Sequence, residues 1–464
     1  MAPPRAVRAL LVAIVLIAAL AIRVTYVQDT SFRAINDAGT YNRLASMVAR
    51  TGDYDTGSRP GSGAGGSRGP TAYFPPGFPY FLAAVDVLTG HPAGHKQAVP
   101  SERIAQALLG TVAVGLIGLV ALEAFGGAVA LACLALAAVY PVLVELSGTL
   151  VAENLMIVLE LAAVWTTLRT RRARHPYVWI AAAGVLTGLA TLTHQNAIVL
   201  LIPFAFVAWT AARPRPNRTR SRLRTLAAPT TLLIITGATI APWTIRNAIE
   251  LHRLIPVSDE TGITLVGTYN PDSAAFAPLP YKWRFFWKIS SDQRLRRTAG
   301  RYSEAALGSK LESRAIGYVE AHPLAPLQVA GRNTARMFEL AGPYAWQASA
   351  AAIELPDGVA RVGVFAFWAL CALALLGAFT SAARIAPRWL WSVPVLLALT
   401  VVFVNVETPR FREPIEPFLV MLAGCAVASG LRRLGLRGAP VRRGRGAPRV
   451  VGGGELVEMV QRLP

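Results

Sequence analysis

The chain has 464 residues, 53% of them hydrophobic and 16% charged, against roughly a quarter charged in soluble domains. Apolar stretches of spanning length recur along most of it, and about 20 such residues cross a bilayer as a helix, so composition excludes a soluble enzyme and points to a polytopic membrane protein. The formal charge of +20 is no nucleic-acid signature, because it is segregated by topology as described below.

Ten spans satisfy both length and charge: roughly 8–26, 103–122, 127–146, 154–170, 177–193, 196–211, 226–245, 359–381, 389–406 and 414–431. The first is shortish and basic-flanked, as a cleaved signal peptide can be. Arg23 interrupts any small-residue cleavage site, however, so an uncleaved helix is expected, with Arg23 snorkelling outward. An even number of spans puts both termini on the cytoplasmic side. That side then holds Arg5, Arg8, the runs RTRRAR and RPRPNRTRSRLR, Arg384, Arg388 and the Arg-rich tail. Together these are 22 of 46 basic residues, opposed only by Glu123, Glu455 and Glu458. The long loop 247–358 carries 12 basic and 11 acidic residues and is nearly neutral. This is the positive-inside asymmetry, with anionic lipid as a sufficient partner. The expected organisation is a transmembrane module 1–246 with a catalytic first external loop 27–102, an external cap 247–358, transmembrane helices 359–431 and a basic cytoplasmic tail 432–464.

Within the first external loop, Asp37, Tyr41, Leu44 and Val48 share one face at 100° per residue, and Asn42, Arg43, Ser46 and Arg50 share the other. A carboxylate on the apolar face is costly unless it has a task or a partner. A Gly/Ser-rich flexible piece follows, GSRPGSGAGGSRG. Next comes PTAYFPPGFPYFLAAVDVLTG, too short for a span and suited to an interfacial helix. If that helix crossed instead, every later orientation would flip and the Arg runs would land outside. Cys133, Cys371 and Cys425 all sit in apolar runs and read as packing residues. Glu160, one heptad beyond Glu153, reads as a paired structural acid. The helical, charge-mixed stretch from about Ser291 to Glu339 belongs to the cap.

Ionisable residues gather at the outer ends of many spans: Asp37, Glu153, His194, Arg246, Arg410, Arg412 and Glu413. Such groups near hydrocarbon are functional candidates by default. Each also has a structural reading. Glu153 suits a helix N-terminus, the arginines can anchor at headgroups, and Tyr73, Trp243 and Tyr344 fit an aromatic belt. One anionic corner facing several cations suggests a phosphate-bearing ligand.

Together these pieces resemble the GT-C type polytopic glycosyltransferases that use polyprenyl-phosphate sugars, including the protein O-mannosyltransferase and lipid A aminoarabinose transferase branches. The resemblance rests on Asp37, Tyr41 and Ala45 after the first span, PTAYFPPGFP at 70–79, Glu153–Asn154 opening a later span, PWTIRN at 242–247 and PRFREPIEPFLVMLAG at 409–424. These run in the family's order over about 420 residues. It implies an all-α bundle of about ten transmembrane helices with interfacial helices in the first external loop and a small external cap. It further implies transfer of a monosaccharide, with inversion, from a polyprenyl-phosphate carrier to a hydroxyl of an acceptor protein, glycolipid or polysaccharide. The site would lie on the external side of the cytoplasmic membrane.

On that resemblance Asp37 is the base and Glu153 its catalytic partner. Arg246, Arg410, Arg412 and His194 hold the donor phosphate. Tyr41, Tyr73, Pro76, Asn154 and Asn247 line the substrate pocket. Two departures stand out. Ala38 follows Asp37 where the family often has a second acid, so a divalent metal is unsupported. His194 stands where the family commonly has Arg or Lys, so its phosphate contact requires protonation. No cofactor other than the lipid-linked sugar is implied. The competing classes are a lipid-linked sugar flippase or transporter, which would place charges at mid-membrane, and an envelope-assembly protein without catalysis.

Overall fold

The computed structural model describes residues 5–55, 69–90, 95–211 and 222–435. The Gly/Ser-rich piece read as flexible, most of RPRPNRTRSRLR, and the Arg-rich tail beyond Gly435 with Glu455 and Glu458 lie outside the described residues. Those described are helical, joined by turns, with an isolated β-bridge between Asp55 and Pro70.

Among the described residues six helices are long and apolar enough to cross a membrane: Ala6–Asp29, Val99–Phe125, Pro176–Thr193, Leu226–Glu250, Asp357–Ala378 and Arg410–Arg433. The other four expected spans fall on elements that are shorter or more charged. Span 127–146 is two helices, Gly127–Val139 and Pro141–Leu146, because Pro141 has no N–H to continue the first. Glu153–Thr170 has 18 residues but carries Glu153, Glu160 and Arg169. Spans 196–211 and 389–406 each begin as a 3-10 turn, Gln195–Leu200 and Arg388–Trp391, and leave eleven-residue α-helices, Leu201–Ala211 and Ser392–Val402. By length and composition alone six described helices qualify as crossings, with Gly77–Leu88, Gly127–Val139, Gln195–Ala211 and Arg388–Val402 as shorter apolar helices beside them.

The break before Pro141 explains Arg23. It does not snorkel: its side chain is fully buried, and its guanidinium donates to the carbonyls of Ala137 at 3.2 Å and Ala138 at 3.1 Å. Those carbonyls end a helix, where a cation also meets the negative end of its dipole. Glu160 departs from expectation too. It is fully buried, and neither oxygen has a hydrogen-bond partner among the described residues. The three cysteines are free. Cys133 marks a close helix crossing, since a Cβ on Gly424 would lie 2.3 Å from its sulfur. On the other side of the same last helix, a Cβ on Gly377 would meet the Leu422 carbonyl at 1.8 Å. Glycine at both positions lets the helix pack tightly between two neighbours.

The segment expected as the first external loop folds as the helices Asn36–Thr51 and Gly77–Leu88 with the strap 69–76 between them. Tyr41, Leu44 and Ala45 bury against Phe74, Phe78 and Leu82. The opposite face is only half wet. Arg43 and Arg50 are exposed, but Asn42 and Ser46 are buried, and Asn42 Nδ2 donates to Glu102 Oε2 at 2.7 Å. Gly52, at φ 78°, ends this helix in the left-handed region.

Residues 261–329 gather round a small apolar cluster that includes Ile263, Phe286, Leu311 and Val329. The helix Glu304–Ala321 is tied to the strap by its first residue. Glu304 accepts from Thr71 Oγ1 at 2.7 Å and from the Ala72 N–H at 2.8 Å.

Candidate functional site

A cavity of about 710 Å³ opens where the first external loop, the turn after Pro176–Thr193, the segment 260–288 and the turn before the last helix converge. Asp37 stands on its wall. It lies in the first turn of its helix, where a carboxylate suits the positive dipole end. Its side chain is 40% exposed, facing the opening rather than the apolar core.

Arg410 binds this acid. Its Nη1 donates to Asp37 Oδ2 at 2.6 Å and its Nε to Glu153 Oε1 at 2.6 Å, with the Tyr41 hydroxyl 3.5 Å from Nη2. One guanidinium thus bridges two carboxylates, each the opening acid of a different helix. Glu153 is 1% exposed and sits behind Arg410, away from the cavity surface. The geometry favours Arg, whose planar fork can serve two acceptors at once where an ammonium is a point charge.

Arg412, two residues on, turns the other way. The segment Arg410–Ile415 is a 3-10 turn, in which residues two apart diverge by about 120°. Arg412 is buried in the bundle, donating to Glu416 Oε1 at 2.5 Å, Glu339 Oε1 at 2.8 Å and the Met337 carbonyl at 2.9 Å. Arg246 also stays off the cavity. It donates to the carbonyls of Thr71 at 2.8 Å and Tyr54 at 3.0 Å and lies 4.9 Å over the Trp243 ring. It clamps the first external loop. Asn247 and Asn154 are buried and bond backbone carbonyls, Ile255 and Leu146 respectively. Tyr41 and Tyr73 line the cavity. Pro75 does so where Pro76 was expected. Of the three arginines, then, the structure brings one to Asp37, and its charge is already met by two acids.

His194 lines the cavity with its Nε2 4.0 Å from Glu153 Oε1. Burial pushes its imidazole below the usual range, against the upward pull of the Glu153 carboxylate. That direction works against the protonated form which a charged phosphate contact from this ring would need.

Sequence reasoning passed over three residues here. Glu260 lines the cavity, its Oε1 accepting from Gln195 Nε2 at 3.0 Å. Burial first, and the neighbouring Asp37 charge second, push its carboxyl up to about 8, although Arg410 pulls it down. Arg284 and Lys288 also line the cavity. Arg284 lies 4.3 Å over the Phe276 ring and Lys288 5.7 Å over Phe285, with no acid at ion-pair distance among the described residues. The nearby Lys282 instead pairs with Glu407 at 3.3 Å. The signal for Glu260 was the acid pair in SDETG just before a helix. For the cations it was the alternation KWRFFWK, which interleaves charge with aromatic rings. Among the described residues no three His, Cys, Asp or Glu side chains converge as a metal-ligand set.

Residues 74–243 match the family described as dolichyl-phosphate-mannose-protein mannosyltransferase. The match includes Glu153 and His194 and leaves out Asp37 and Arg410. The structure superposes on the oligosaccharyltransferase of Archaeoglobus fulgidus in its apo form with a TM-score of 0.57 at 14% identity, covering 92% of this chain and 51% of that one.

This is the GT-C fold.

The archaeal oligosaccharyltransferase AglB from Archaeoglobus fulgidus, in complex with an inhibitory peptide and a dolichol-phosphate, gives a TM-score of 0.53 at 13% identity, covering 93% of this chain and 52% of that one. This chain therefore spans about half the length of the two structures it superposes on. ArnT from Cupriavidus metallidurans bound to undecaprenyl phosphate is a weaker likeness, with a TM-score of 0.41 at 17% identity over 91% of this chain and 77% of that one. No curated protein matches the sequence at a significant level.

Proposed function

We propose that this multi-pass membrane protein is an inverting glycosyltransferase that moves a monosaccharide from a polyprenyl-phosphate carrier to an acceptor hydroxyl. The reaction takes place in the 710 Å³ cavity on the external side of the cytoplasmic membrane. The observation that carries the reading is the Asp37 carboxylate, held on Arg410 at 2.6 Å and facing that cavity. Arg410 fixes Oδ2 and so leaves Oδ1 to take the acceptor's proton. The acceptor oxygen attacks the anomeric carbon from the face opposite the phosphate. The bond from that carbon to the phosphate oxygen breaks with its electron pair going to the phosphate, which leaves as a weak base and needs no acid. Cations must hold the charge it gains. Arg284 and Lys288 suit this better than the arginines singled out by sequence, because both line the cavity and neither is held in a direct ion pair among the described residues, although Arg284 also feels the Asp272 carboxylate. Trp283, Phe285 and Tyr73 on the same wall give a sugar flat apolar surfaces.

The family matched by 74–243 supports a lipid-phosphate-linked mannosyl donor as the first substrate to try. The test is the purified protein in liposomes with radiolabelled polyprenyl-phosphate sugars, dolichyl-phosphate mannose first, followed for loss of label from the lipid. Label that leaves the lipid for a hydroxyl acceptor with wild type and not with Asp37→Asn supports the reading. Label that only changes leaflet, and does so equally with both proteins, means a flippase.

A further inference from the structure

The end of the segment expected as an external cap packs against helices long and apolar enough to span a membrane. The spanning helix Asp357–Ala378 shows its lipid-facing side as a run of exposed apolar residues: Val362, Phe365, Trp368, Leu375 and Leu376, continued by Phe379 just past its end. Trp368 is six residues inside that run, about 9 Å along the helix axis at 1.5 Å per residue. Its indole Nε1 donates to the Phe338 carbonyl at 3.0 Å, and the Phe338 ring lies 6.2 Å from that of Phe367. Arg412 fixes the same stretch from the inner side through the Met337 carbonyl and the Glu339 carboxylate. Residues 337–339 are thus fastened to a membrane helix well below the top of its apolar band.

The helix leading to this point, Ala325–Met337, is buried on one side only. Ala325, Val329, Asn333, Arg336 and Met337 face inward, and Asn333 Nδ2 donates to the Val402 carbonyl at 2.9 Å. At 100° per residue, Leu324, Leu327, Gly331, Thr334 and Phe338 fall within about 80° of one another on the outward side. That stripe has no charge. Leu324 is 65% exposed, Leu327 66% and, just past the helix, Leu340 71%. The nearest outward charge, Arg332, lies on its flank, where a basic side chain can reach headgroups.

We propose that the stripe Leu327–Leu340 is a membrane-docking surface whose occupant is the hydrocarbon of the outer leaflet. Continuity decides the occupant. The stripe runs without a polar gap into the exposed face of a spanning helix at Trp368, and that face can only meet lipid. The cost of leaving these leucines in water is removed by burial at roughly 25 cal/mol per Å².

The test is cysteine labelling of the full chain in liposomes opened by freeze–thaw, so that both faces meet a membrane-impermeant maleimide. Leu327→Cys and Leu340→Cys are compared with Glu320→Cys, an exposed position on the helix before. Unsubstituted protein gives the background from its own three thiols. Maleimide attack needs a thiolate, which hydrocarbon suppresses, so both leucine positions should label at least ~10-fold more slowly than Glu320→Cys. A bimane on Leu340→Cys should also be quenched by shallow nitroxide lipid more strongly than one on Glu320→Cys. Labelling at the rate of Glu320→Cys, with no lipid quenching, overturns the proposal. Slow labelling that comes with disulfide cross-linking between copies, and no lipid quenching, overturns it in favour of a self-association face.

Discussion

Arg410 Nη1 donates to Asp37 Oδ2 at 2.6 Å across 373 residues of sequence. The same guanidinium holds Glu153 at 2.6 Å from its Nε. The two acids differ in burial, and that difference separates what their pairs do.

Glu153 is 1% exposed, so removing its partner leaves a charge stranded out of water. For Arg410→Gln we predict a loss of about 3–5 kcal/mol in stability, the usual cost of breaking a buried pair from one side. Arg410→Lys should recover only part, because one ammonium cannot serve both carboxylates in this geometry. Thermal unfolding of the purified protein in detergent measures both. A melting temperature unchanged in Arg410→Gln would mean that the bridge contributes nothing to stability.

Asp37 is on the open side of the pair. Asp37→Asn keeps the shape and leaves Arg410 on Glu153. We expect glycosyl transfer to fall by about two to four orders of magnitude, the usual share of a general base, with the melting temperature close to wild type. Retained transfer would move the base elsewhere on the wall, with Glu260 the next group to test.

The acid pair in the loop should show itself in pH dependence. Burial raises the Asp259 carboxyl to about 7 and Glu260 to about 8, from 3.8 and 4.5. A carboxyl whose pKa is higher folded than unfolded binds more protons in the folded state between the two values. Stability must then fall as pH rises through that window. We predict that the melting temperature declines from pH 5 to pH 8 and that Glu260→Gln flattens the decline, gaining most at the alkaline end. A slope unaltered by both Glu260→Gln and Asp259→Asn would rule the two acids out as its source.

Arg246 tests whether an arginine off the cavity acts through the loop it clamps. Arg246→Ala removes its hydrogen bonds to the Thr71 and Tyr54 carbonyls and its stacking on Trp243. We expect a stability loss of about 1–3 kcal/mol and faster protease cleavage within the first external loop. Donor affinity, measured with polyprenyl phosphate alone, should change less than in Arg284→Ala. Equal loss of affinity in the two variants would bring Arg246 back into phosphate binding.

Much of this was legible in the sequence. Apolar runs and charge asymmetry gave a helical membrane bundle, and 100° periodicity placed Asp37 and Tyr41 on one side of a helix that forms as read. Direction within a turn was not legible. Arg410 and Arg412 look equivalent in PRFREP, because a short Pro-bounded segment does not declare whether it coils, and it is the helical turn at Arg410–Ile415 that sends one to the cavity and the other into the bundle. Arg23 was misread for a related reason. The carbonyls it serves are freed by a helix break at Pro141, over a hundred residues away, which no local pattern announces. Glu260 escaped because it sits in a loop, where periodicity carries no signal about what faces what.

The distance in sequence between the two ends of the acid–guanidinium cluster bears on how the chain is made. Glu153 leaves the ribosome 257 residues ahead of the cation that neutralises it. Until Arg410 is made Glu153 has no guanidinium beside it, and the cavity lacks this brace until the last apolar helix is translated. A chain cut short before Arg410 would keep the five earlier apolar spans among the described residues and lose the one guanidinium that joins Glu153 to Asp37.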